Sequence, residues 1–374
     1  MEIPITPMVQ WSGVEGRPLV IAGPCAAESR EQVFETAQRL AGARVDYLRA
    51  GIWKARTRPD NFEGIGEAAL PWLRDAGKEY GLKTATEVAL PAHVDAALKC
   101  GIDMLWIGAR TTVNPFSVQD LANAVRGVDV PILIKNPTNP DLQLWLGAIE
   151  RFSKAGIRSI GAIHRGVSVA NSAPYRNAPM WSFVIELRRL LPALPIITDP
   201  SHICGNRELL ASVAQSAMDL GLDGVMIEAH PRPDQAWSDA AQQVTPERAG
   251  AILSALSIRR ADSPNPAYAG SIEALRERID GVDHTIVALL AERMQVVQLI
   301  AEEKRANNIT TLQVARWAAL LDDRMRRAEA LGLDPEYARA IYDVIHRESI
   351  RRQSQIMSDG RVDLARATRT APLE

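Results

Sequence analysis

The sequence predicts an α/β chain in which a (β/α)8 barrel, the TIM-barrel fold, precedes an all-α domain of three helices. Eight short apolar runs alternate with helical stretches between residues 19 and 258, and such alternation is typical of a parallel sheet. Eight strand–helix units in about 240 residues match the size of one barrel. After a proline-containing linker the strand-like runs disappear, and only helical periodicity remains.

The strand-like runs are nearly continuous in apolar residues, as expected of strands buried on both faces. They lie at 19–25, 47–51, 82–87, 104–108, 131–136, 157–165, 195–202 and 224–230. Candidate helices follow near 29–42, 66–80, 91–100, 117–126, 141–155, 179–191, 205–219 and 245–258. These elements place the barrel domain at 1–258.

The linker is predicted at 259–270, because ADSPNPAYAG (261–270) is rich in turn-forming residues. The helical domain is placed at 271–374, with helices at 271–306, near 313–331 and near 335–357. Apolar residues recur in the first of these at alternating steps of three and four, a heptad seam suited to packing against another helix. The seam consists of Ile272, Leu275, Ile279, Val282, Ile286, Leu289, Val296 and Ile300, with Arg293 at one of its positions.

The composition excludes several classes of protein. The chain has 374 residues, 47% hydrophobic and 24% charged, with a formal net charge of −2. These ordinary globular values exclude a disordered or fibrous chain, and the charge balance gives no reason to expect a nucleic acid or a membrane as partner. Three cysteines, no apolar run long enough for a bilayer and no signal peptide indicate the reducing cytoplasm.

Nearly every strand of the predicted barrel ends in a charged residue, and functional groups of such barrels lie at these carboxyl ends. The cations among them are Arg49, Lys54, Arg56, Arg110, Lys135 and Arg165. Arginine forks match phosphate and carboxylate groups, so the cluster predicts a substrate that carries both. The alternative is that single cations pair with Glu28, Glu87 or Asp199.

A second set at the same rim predicts a divalent metal. It consists of Cys25, His202, Glu228 and, in the following loop, Asp239. A thiolate, an imidazole and two carboxylates suit a first-row transition metal. Manganese, iron, cobalt and zinc all fit, and no organic cofactor is expected. Taken singly, each residue also has a structural explanation, such as a buried thiol or a salt-bridged carboxylate.

Residues 15–258 resemble 3-deoxy-D-arabino-heptulosonate 7-phosphate (DAHP) synthase, in the branch close to KDO8P synthase. The resemblance is carried by AGPCAAES (22–29), RAGIWKARTRPDNFEG (49–64), TATE (84–87), IGAR (107–110), ILIKN (132–136), IHRG (163–166), DPSH (199–202) and the pair Glu228 and Asp239. It implies condensation of phosphoenolpyruvate with erythrose 4-phosphate and release of phosphate.

This resemblance also implies roles for the rim residues. The metal ligands would be Cys25, His202, Glu228 and Asp239. Phosphoenolpyruvate would be held by Arg110, Lys135, Arg165 and Lys54, and erythrose 4-phosphate by Arg56 and Thr57. Arg49 and Asp199 are further candidates for substrate binding, and Lys54 is the candidate proton donor. The loop Lys54-Ala55-Arg56-Thr57-Arg58 differs from the family's usual Lys-Pro-Arg-Thr-Ser, but its Arg-Thr pair favours DAHP synthase over KDO8P synthase.

The helical domain carries polar residues on faces that are otherwise apolar. Arg293 occupies a seam position, Lys304 faces the same side, and Arg276 points about 100° away on a straight helix. On the last helix, Ser349 and Gln353 continue an apolar face. Together with Arg316, these residues predict a polar pocket inside a helical bundle.

Residues 270–357 resemble the all-helical class of chorismate mutase through ALRERIDGVDHTIVALLAERM (274–294), EEKR (302–305), VARW (314–317) and ESIRRQ (348–353). The resemblance implies an intertwined dimer that rearranges chorismate to prephenate without a cofactor. One pocket would be lined by Arg293, Lys304, Arg316, Ser349 and Gln353, with Arg276 supplied by the partner chain. Gln313 and Trp317 stand where some members have acidic residues.

Together, these resemblances imply a bifunctional enzyme that is at least a dimer. They also predict that prephenate or chorismate, bound to the helical domain, inhibits the synthase. Three alternatives remain open. The helical domain could be a sensing and dimerisation module without catalysis. The barrel could be a KDO8P synthase, or a Schiff-base aldolase that uses Lys54 or Lys135.

Overall fold

The chain forms two compact units, Met1–Ala261 and Asp262–Glu374. Residues 3–54, 60–260 and 262–367 are described by a computed structural model, with side chains described as far as residue 358. The first unit is a closed barrel of eight parallel strands, and the described part of the second is helical. The predicted fold class is confirmed.

The barrel strands follow one another in chain order. They are β1 (Leu19–Gly23), β2 (Tyr47–Arg49), β3 (Lys83–Val88), β4 (Met104–Ile107), β5 (Ile132–Lys135), β6 (Ile160–His164), β7 (Ile196–Thr198) and β8 (Gly224–Glu228). Each strand pairs in parallel with the next, and β8 closes on β1 from Leu19↔Gly224 to Gly23↔Glu228. All eight predicted strands are present, and their carboxyl ends meet at one rim.

Helices surround the barrel, and α1 precedes it. They are α1 (Met8–Ser12), α2 (Arg30–Leu40), α3 (Leu70–Tyr80), α4 (Pro91–Cys100), α5 (Ala109–Thr112), α6 (Pro115–Ala124), α7 (Leu142–Lys154), α8 (Trp181–Leu190), α9 (Pro200–Cys204), α10 (Leu210–Asp219) and α11 (Pro246–Ala255). Several begin at a side chain that accepts a hydrogen bond from the first turn, which satisfies an otherwise free N–H. Ser29, Asn114, Asp141 and Thr245 act in this way.

The barrel's interior is filled at its amino end by apolar side chains. Leu19, Ile21, Tyr47, Met104 and Trp106 belong to this buried inner cluster. Met8 and Trp11 of α1 pack against it, and Lys83, the first residue of β3, donates to the Ser12 carbonyl over 2.9 Å. Helix α1 therefore covers the amino end of the barrel.

Among the predicted boundaries that differ from the structure, two have the same cause. The seventh run was expected to continue to 202, but β7 ends at Thr198 because the Asp199 side chain accepts a hydrogen bond from His202 N and caps α9. The long helix was expected to begin at 271, but it begins at Pro266 because Asn265 caps it through Ala267 N. In both cases an Asx–Pro pair starts a helix.

The second unit consists, over its described residues, of α12 (Pro266–Ala306), α13 (Val314–Ala330) and α14 (Pro335–Ala367). Its heptad seam is exposed in the single chain: Ile279 is 59% and Leu289 58% accessible to solvent. Among the described residues, none of the helices is both long and apolar enough to span a membrane.

Candidate active sites

The barrel's apolar interior ends in a layer of charged side chains. The inner cluster includes Tyr47, Ala85, Leu133, Ile197 and Met226. The residues two positions further along are Arg49, Glu87, Lys135, Asp199 and Glu228. Because alternate residues of a strand point to the same side, these five follow the apolar layer directly and form the floor of the rim.

The charges of this floor are paired within the protein. Arg49 Nη2 lies 3.1 Å from Glu228 Oε1, and Lys135 Nζ lies 2.7 Å from Asp199 Oδ2. All four side chains are buried, and an unpaired charge there would be costly. Arg49 Nε and Nη1 are buried and have no hydrogen-bond partner among the described residues, and substrate binding by Arg49 and Asp199 stays a prediction.

The four predicted metal ligands converge at the rim in two pairs. Cys25 Sγ lies 3.3 Å from Asp239 Oδ2, and His202 Nε2 lies 3.9 Å from Glu228 Oε1. Among the described residues, no three His, Cys, Asp or Glu side chains are grouped closely enough to hold a metal ion in their present positions. The structure therefore brings the four predicted ligands to the same rim, but their side chains do not surround a common metal position.

Three observations support a cation at this set. Glu228 Oε1 is buried and accepts no hydrogen bond from the described residues. Burial opposes the ionisation of Asp239, but the charges of His202, Lys54 and Arg176 outweigh it and lower its pKa. Burial raises the pKa of the Cys25 thiol to about 12, so the thiol needs a cation to become a thiolate.

Lys54 lies beside this set. Its Nζ is 3.0 Å from Cys25 Sγ and 2.9 Å from the Cys25 carbonyl oxygen. A Cβ at Gly51 would come within 2.5 Å of that carbonyl and 2.9 Å of Lys54 Cδ, so glycine allows the lysine to fold back. Burial lowers the pKa of Lys54, but Cys25 and Glu228 outweigh it and the net pKa is raised. Lys54 is therefore an ammonium.

A cluster of arginines stands at the same rim. Burial, together with the positive charges of Arg176 and Arg110 and against the charge of Asp199, lowers the pKa of Arg165 to about 10. Mutual repulsion of this kind is relieved by a bound anion, which fits the predicted phosphoenolpyruvate site. Arg56 and Thr57, predicted to bind erythrose 4-phosphate, lie outside the described residues.

Sequence reasoning missed several residues that connect the rim loops. Arg176 Nη1 lies 3.0 Å from Asp239 Oδ1, and Gln242 donates to Glu228 Oε2 over 2.7 Å. Gln243 accepts from Cys25 N over 3.0 Å, and Glu28 accepts from Trp237 N over 2.8 Å. Arg176 and the two glutamines follow no strand end. The one signal in the sequence is the Gln-Gln pair just after Asp239.

The helical unit brings four of its predicted residues together in two contacts. Arg293 Nη1 donates to Ser349 Oγ over 2.7 Å, and Lys304 Nζ donates to Gln353 Oε1 over 3.1 Å. Arg293 is half-buried, and burial lowers the pKa of its guanidinium. Ser349 and Gln353 are buried. A polar, cationic cluster thus lies between α12 and α14, where the pocket is predicted.

Trp317 and His346 stack beside this pocket. Their ring centroids are 3.8 Å apart, with 14° between the planes. Burial and then the charge of Arg293 lower the pKa of His346, which places the stack close to that arginine. Arg316 precedes Trp317 and is exposed. Arg276 is about 25 Å from Arg293 along the axis of α12, so the same chain does not supply it to the pocket.

Two parts of the chain match models of two known protein families. Residues 2–259 match the DAHP synthetase I family, and residues 275–354 match chorismate mutase type II. Both matches contain the sites described above.

Similarity to individual proteins is found in the barrel. The phospho-2-dehydro-3-deoxyheptonate aldolase of Thermotoga maritima is 34% identical over 229 residues, which are 60% of this chain and 64% of that protein. A crystal structure of this aldolase (DAHP synthase) from the same organism aligns with a TM-score of 0.59 and 32% identity, and covers 64% of this chain and 68% of that one. The 2-dehydro-3-deoxyphosphooctonate aldolase of Brucella ovis is 28% identical over 263 residues, which are 63% of this chain and 88% of that protein.

The buried His164 at the end of β6 gives a prediction about stability and pH. Burial lowers its pKa to about 4, whereas an unfolded histidine titrates near 6.5. Its stabilising contribution is therefore complete above about pH 6.5 and is lost as the pH falls towards 4. In His164→Phe, we expect the loss of unfolding free energy between pH 7 and pH 5 to shrink by about 2 kcal/mol, measured by urea denaturation.

His93→Phe is the control, because His93 is only partly buried and stacks on Trp53 with ring centroids 4.0 Å apart. Its substitution should change the pH dependence much less. An unaltered pH dependence in His164→Phe would show that His164 is not held neutral.

Proposed function

Because the chain belongs to the DAHP synthetase I family through residues 2–259 and matches chorismate mutase type II over 275–354, we propose that it is a bifunctional enzyme. The barrel condenses phosphoenolpyruvate with erythrose 4-phosphate to give DAHP and phosphate. The helical unit rearranges chorismate to prephenate. Both substrates of the barrel are small phosphorylated metabolites, which supports the expected cytoplasmic location.

The observation that supports the barrel's activity is the meeting of Cys25 with Asp239 and of His202 with Glu228 beside Lys54. These four residues would hold the metal. A divalent cation there supplies Lewis acidity towards the aldehyde of erythrose 4-phosphate. The donor set suits manganese, iron, cobalt and zinc, and the condensation requires no organic cofactor.

The cations of the rim bind and orient phosphoenolpyruvate in this proposal. Arg110, Arg165 and Lys135 hold its carboxylate and phosphate. Carbon 3 of phosphoenolpyruvate forms the new bond to the aldehyde carbon. The π-electron pair of the aldehyde C=O bond moves to its oxygen. Lys54, an ammonium within the rim, donates the proton to that oxygen. Water adds at carbon 2 and one of its protons restores the Lys54 ammonium. The bond between carbon 2 and the phosphate oxygen then breaks, the remaining hydroxyl proton passes to the departing phosphate, and carbon 2 becomes the ketone carbon.

The alternatives for the barrel are less well supported. A Schiff-base lysine must be neutral to attack a carbonyl, but the pKa of Lys54 is raised and Lys135 is paired with Asp199. For the KDO8P reaction, the similarity to a 2-dehydro-3-deoxyphosphooctonate aldolase is 28% identity, against 34% for the DAHP-forming relative.

The barrel's activity is tested by two substrates and a chelator. We expect the full chain with added Mn²⁺ to consume phosphoenolpyruvate with erythrose 4-phosphate but not with arabinose 5-phosphate, and to lose activity with EDTA. Lys54→Met should lower kcat by about 10²–10⁴-fold, the usual contribution of a general acid, and should also raise the KM for phosphoenolpyruvate, because Lys54 is one of the cations expected to hold that substrate. Near-normal turnover in Lys54→Met would exclude it as the proton donor.

In the helical unit, the contacts Arg293–Ser349 and Lys304–Gln353 support catalysis. The rearrangement is unimolecular, so the pocket needs only to hold chorismate in its reactive conformer and to stabilise developing charge. Arg293 and Arg316 would clamp the two carboxylates, and Lys304 and Gln353 would hydrogen-bond the ether oxygen. A sensing module without catalysis is the alternative. We further propose that prephenate or chorismate, bound in this pocket, inhibits the synthase.

Arg293→Ala tests catalysis and regulation together. Loss of this cation should lower kcat/KM for chorismate by at least about 10²-fold and abolish inhibition of the synthase by prephenate. Synthase activity without prephenate should be unchanged, because Arg293 belongs to the other unit. If the wild type fails to consume chorismate, the sensing module is correct, and inhibition that persists in the variant would contradict regulation through this pocket.

The exposed heptad seam of α12 supports dimerisation through the helical unit. Val282, Ile286 and Leu289 are 54%, 48% and 58% exposed in the single chain. A second copy of α12 would bury this face. It would also supply Arg276, which the chain cannot bring to its own pocket.

Charge introduced into this seam should separate the chains. We expect Ile286→Asp to shift the full chain towards a smaller species in analytical ultracentrifugation and to lower mutase activity. Leu331→Asp, at a 78% exposed leucine after α13, is the matched control and should leave both unchanged. An Ile286→Asp chain of wild-type mass would contradict the proposed interface.

A further inference from the structure

Gln242 lies between two of the proposed metal ligands and a surface arginine. It ends the short 3-10 turn Ala240–Gln242 after Asp239 and is 1% exposed. Its Nε2 donates to Glu228 Oε2 over 2.7 Å, and its Oε1 accepts from Arg176 Nη1 over 2.8 Å. Both ends of the amide are therefore used.

The direction of this amide is fixed by its neighbours. A guanidinium can only donate hydrogen bonds, and an ionised carboxylate can only accept them. If the amide were reversed, its oxygen would face Glu228 Oε2 and its NH2 group would face Arg176, so both contacts would become repulsive. Arg176 thus holds Gln242 with its donor towards Glu228.

The consequence for Glu228 is that its two oxygens differ. Oε2 is engaged by Gln242, whereas Oε1 accepts no hydrogen bond from the described residues and is the oxygen 3.9 Å from His202 Nε2. Arg49 Nη2, 3.1 Å from Oε1, balances the charge of the carboxylate. The amide of Gln242 therefore engages Oε2 and leaves Oε1 as the Glu228 oxygen that faces His202.

The two carboxylate oxygens of Asp239 also have different partners. Its Oδ1 lies 3.0 Å from Arg176 Nη1, and its Oδ2 lies 3.3 Å from Cys25 Sγ. Asp239 also has a left-handed backbone, with φ of 46°, which a non-glycine residue adopts only when its surroundings hold it. One guanidinium thus orients one carboxylate directly and the other through an amide.

We propose that Gln242 is a positioning residue that selects Glu228 Oε1 as the metal-binding oxygen, and that Arg176 keeps Gln242 in this orientation. The proposal rests on the metal site assigned to the barrel under the proposed function. It adds that the loop after β6, which carries Arg176, is coupled to the ligand set. Groups that orient metal ligands contribute typically about 10–100-fold to metal affinity.

The test uses the full chain freed of metal by a chelator and titrated with Co²⁺, with a competing chelating dye as the indicator of affinity. We expect Gln242→Leu to bind Co²⁺ at least about 10-fold more weakly than the wild type. We also expect its visible ligand-field bands to change in shape and intensity, because either oxygen of Glu228 can then reach the cation. Gln242→Glu, which keeps the size but loses the donor, should show the same changes, and Arg176→Gln should show them more weakly.

Gln32→Leu is the matched control. Gln32 is also a buried glutamine, 4% exposed, but among the described residues its side chain bonds the backbone alone, at Glu28 N and Ala26 O. It should leave the Co²⁺ affinity and spectrum unchanged even if it lowers the melting temperature.

The outcomes separate the inference from the proposed function. If the wild type binds no Co²⁺, the metal site itself is wrong. If the wild type binds Co²⁺ and both Gln242 variants keep its affinity and spectrum, the metal site stands and Gln242 is not a positioning residue. A lower melting temperature with an unchanged spectrum also overturns the inference, because it shows a purely structural role. Should Gln242→Leu fail to fold, Gln242→Glu and the surface variant Arg176→Gln decide.

Discussion

The barrel's rim depends on the burial of charge at the top of a closed sheet. Glu228 and Asp199 are fully buried and are held there by Arg49 and Lys135. An ion removed from water in this way is tolerated only with a close counter-charge and further hydrogen bonds. The positions of Lys54, Gln242 and Arg176 follow from this constraint, because each supplies a donor to a carboxylate or carbonyl that water no longer reaches.

Much of this arrangement could be predicted from the sequence, because strand–helix alternation and strand-end charges are local patterns. The inward direction of Arg49 follows from alternation, since Tyr47 two residues earlier is in the inner cluster. Asp199, the partner of Lys135, was among the expected counter-charges, but the pairing of Arg49 with Glu228 could not be predicted. Gln242 and Arg176 come from loops whose paths depend on tertiary contacts, and Asp199 caps a helix as well as pairing with Lys135.

The two sites differ in how complete they are within one chain. At the barrel rim, the cations and the proposed ligands meet on elements of a single unit. In the helical unit, the seam positions were predictable from their heptad spacing, and Arg293 among them does face a polar partner, Ser349. The apolar seam residues Ile279, Val282 and Leu289 stay exposed among the described residues, so the cover proposed for them comes from a second chain.

Helix α1 packs Met8 and Trp11 against the inner cluster, and this has a consequence for access to the carboxyl-end rim of the barrel. Because α1 and the apolar inner cluster occupy the amino end, the carboxyl-end rim is the entrance that the proposed reaction would use. Lys135 and Arg165 are only 3% and 7% exposed, whereas Arg110 is exposed. In the proposed reaction, a ligand of the two buried cations would therefore lie deeper in the rim than a ligand of Arg110, and both would share one entrance.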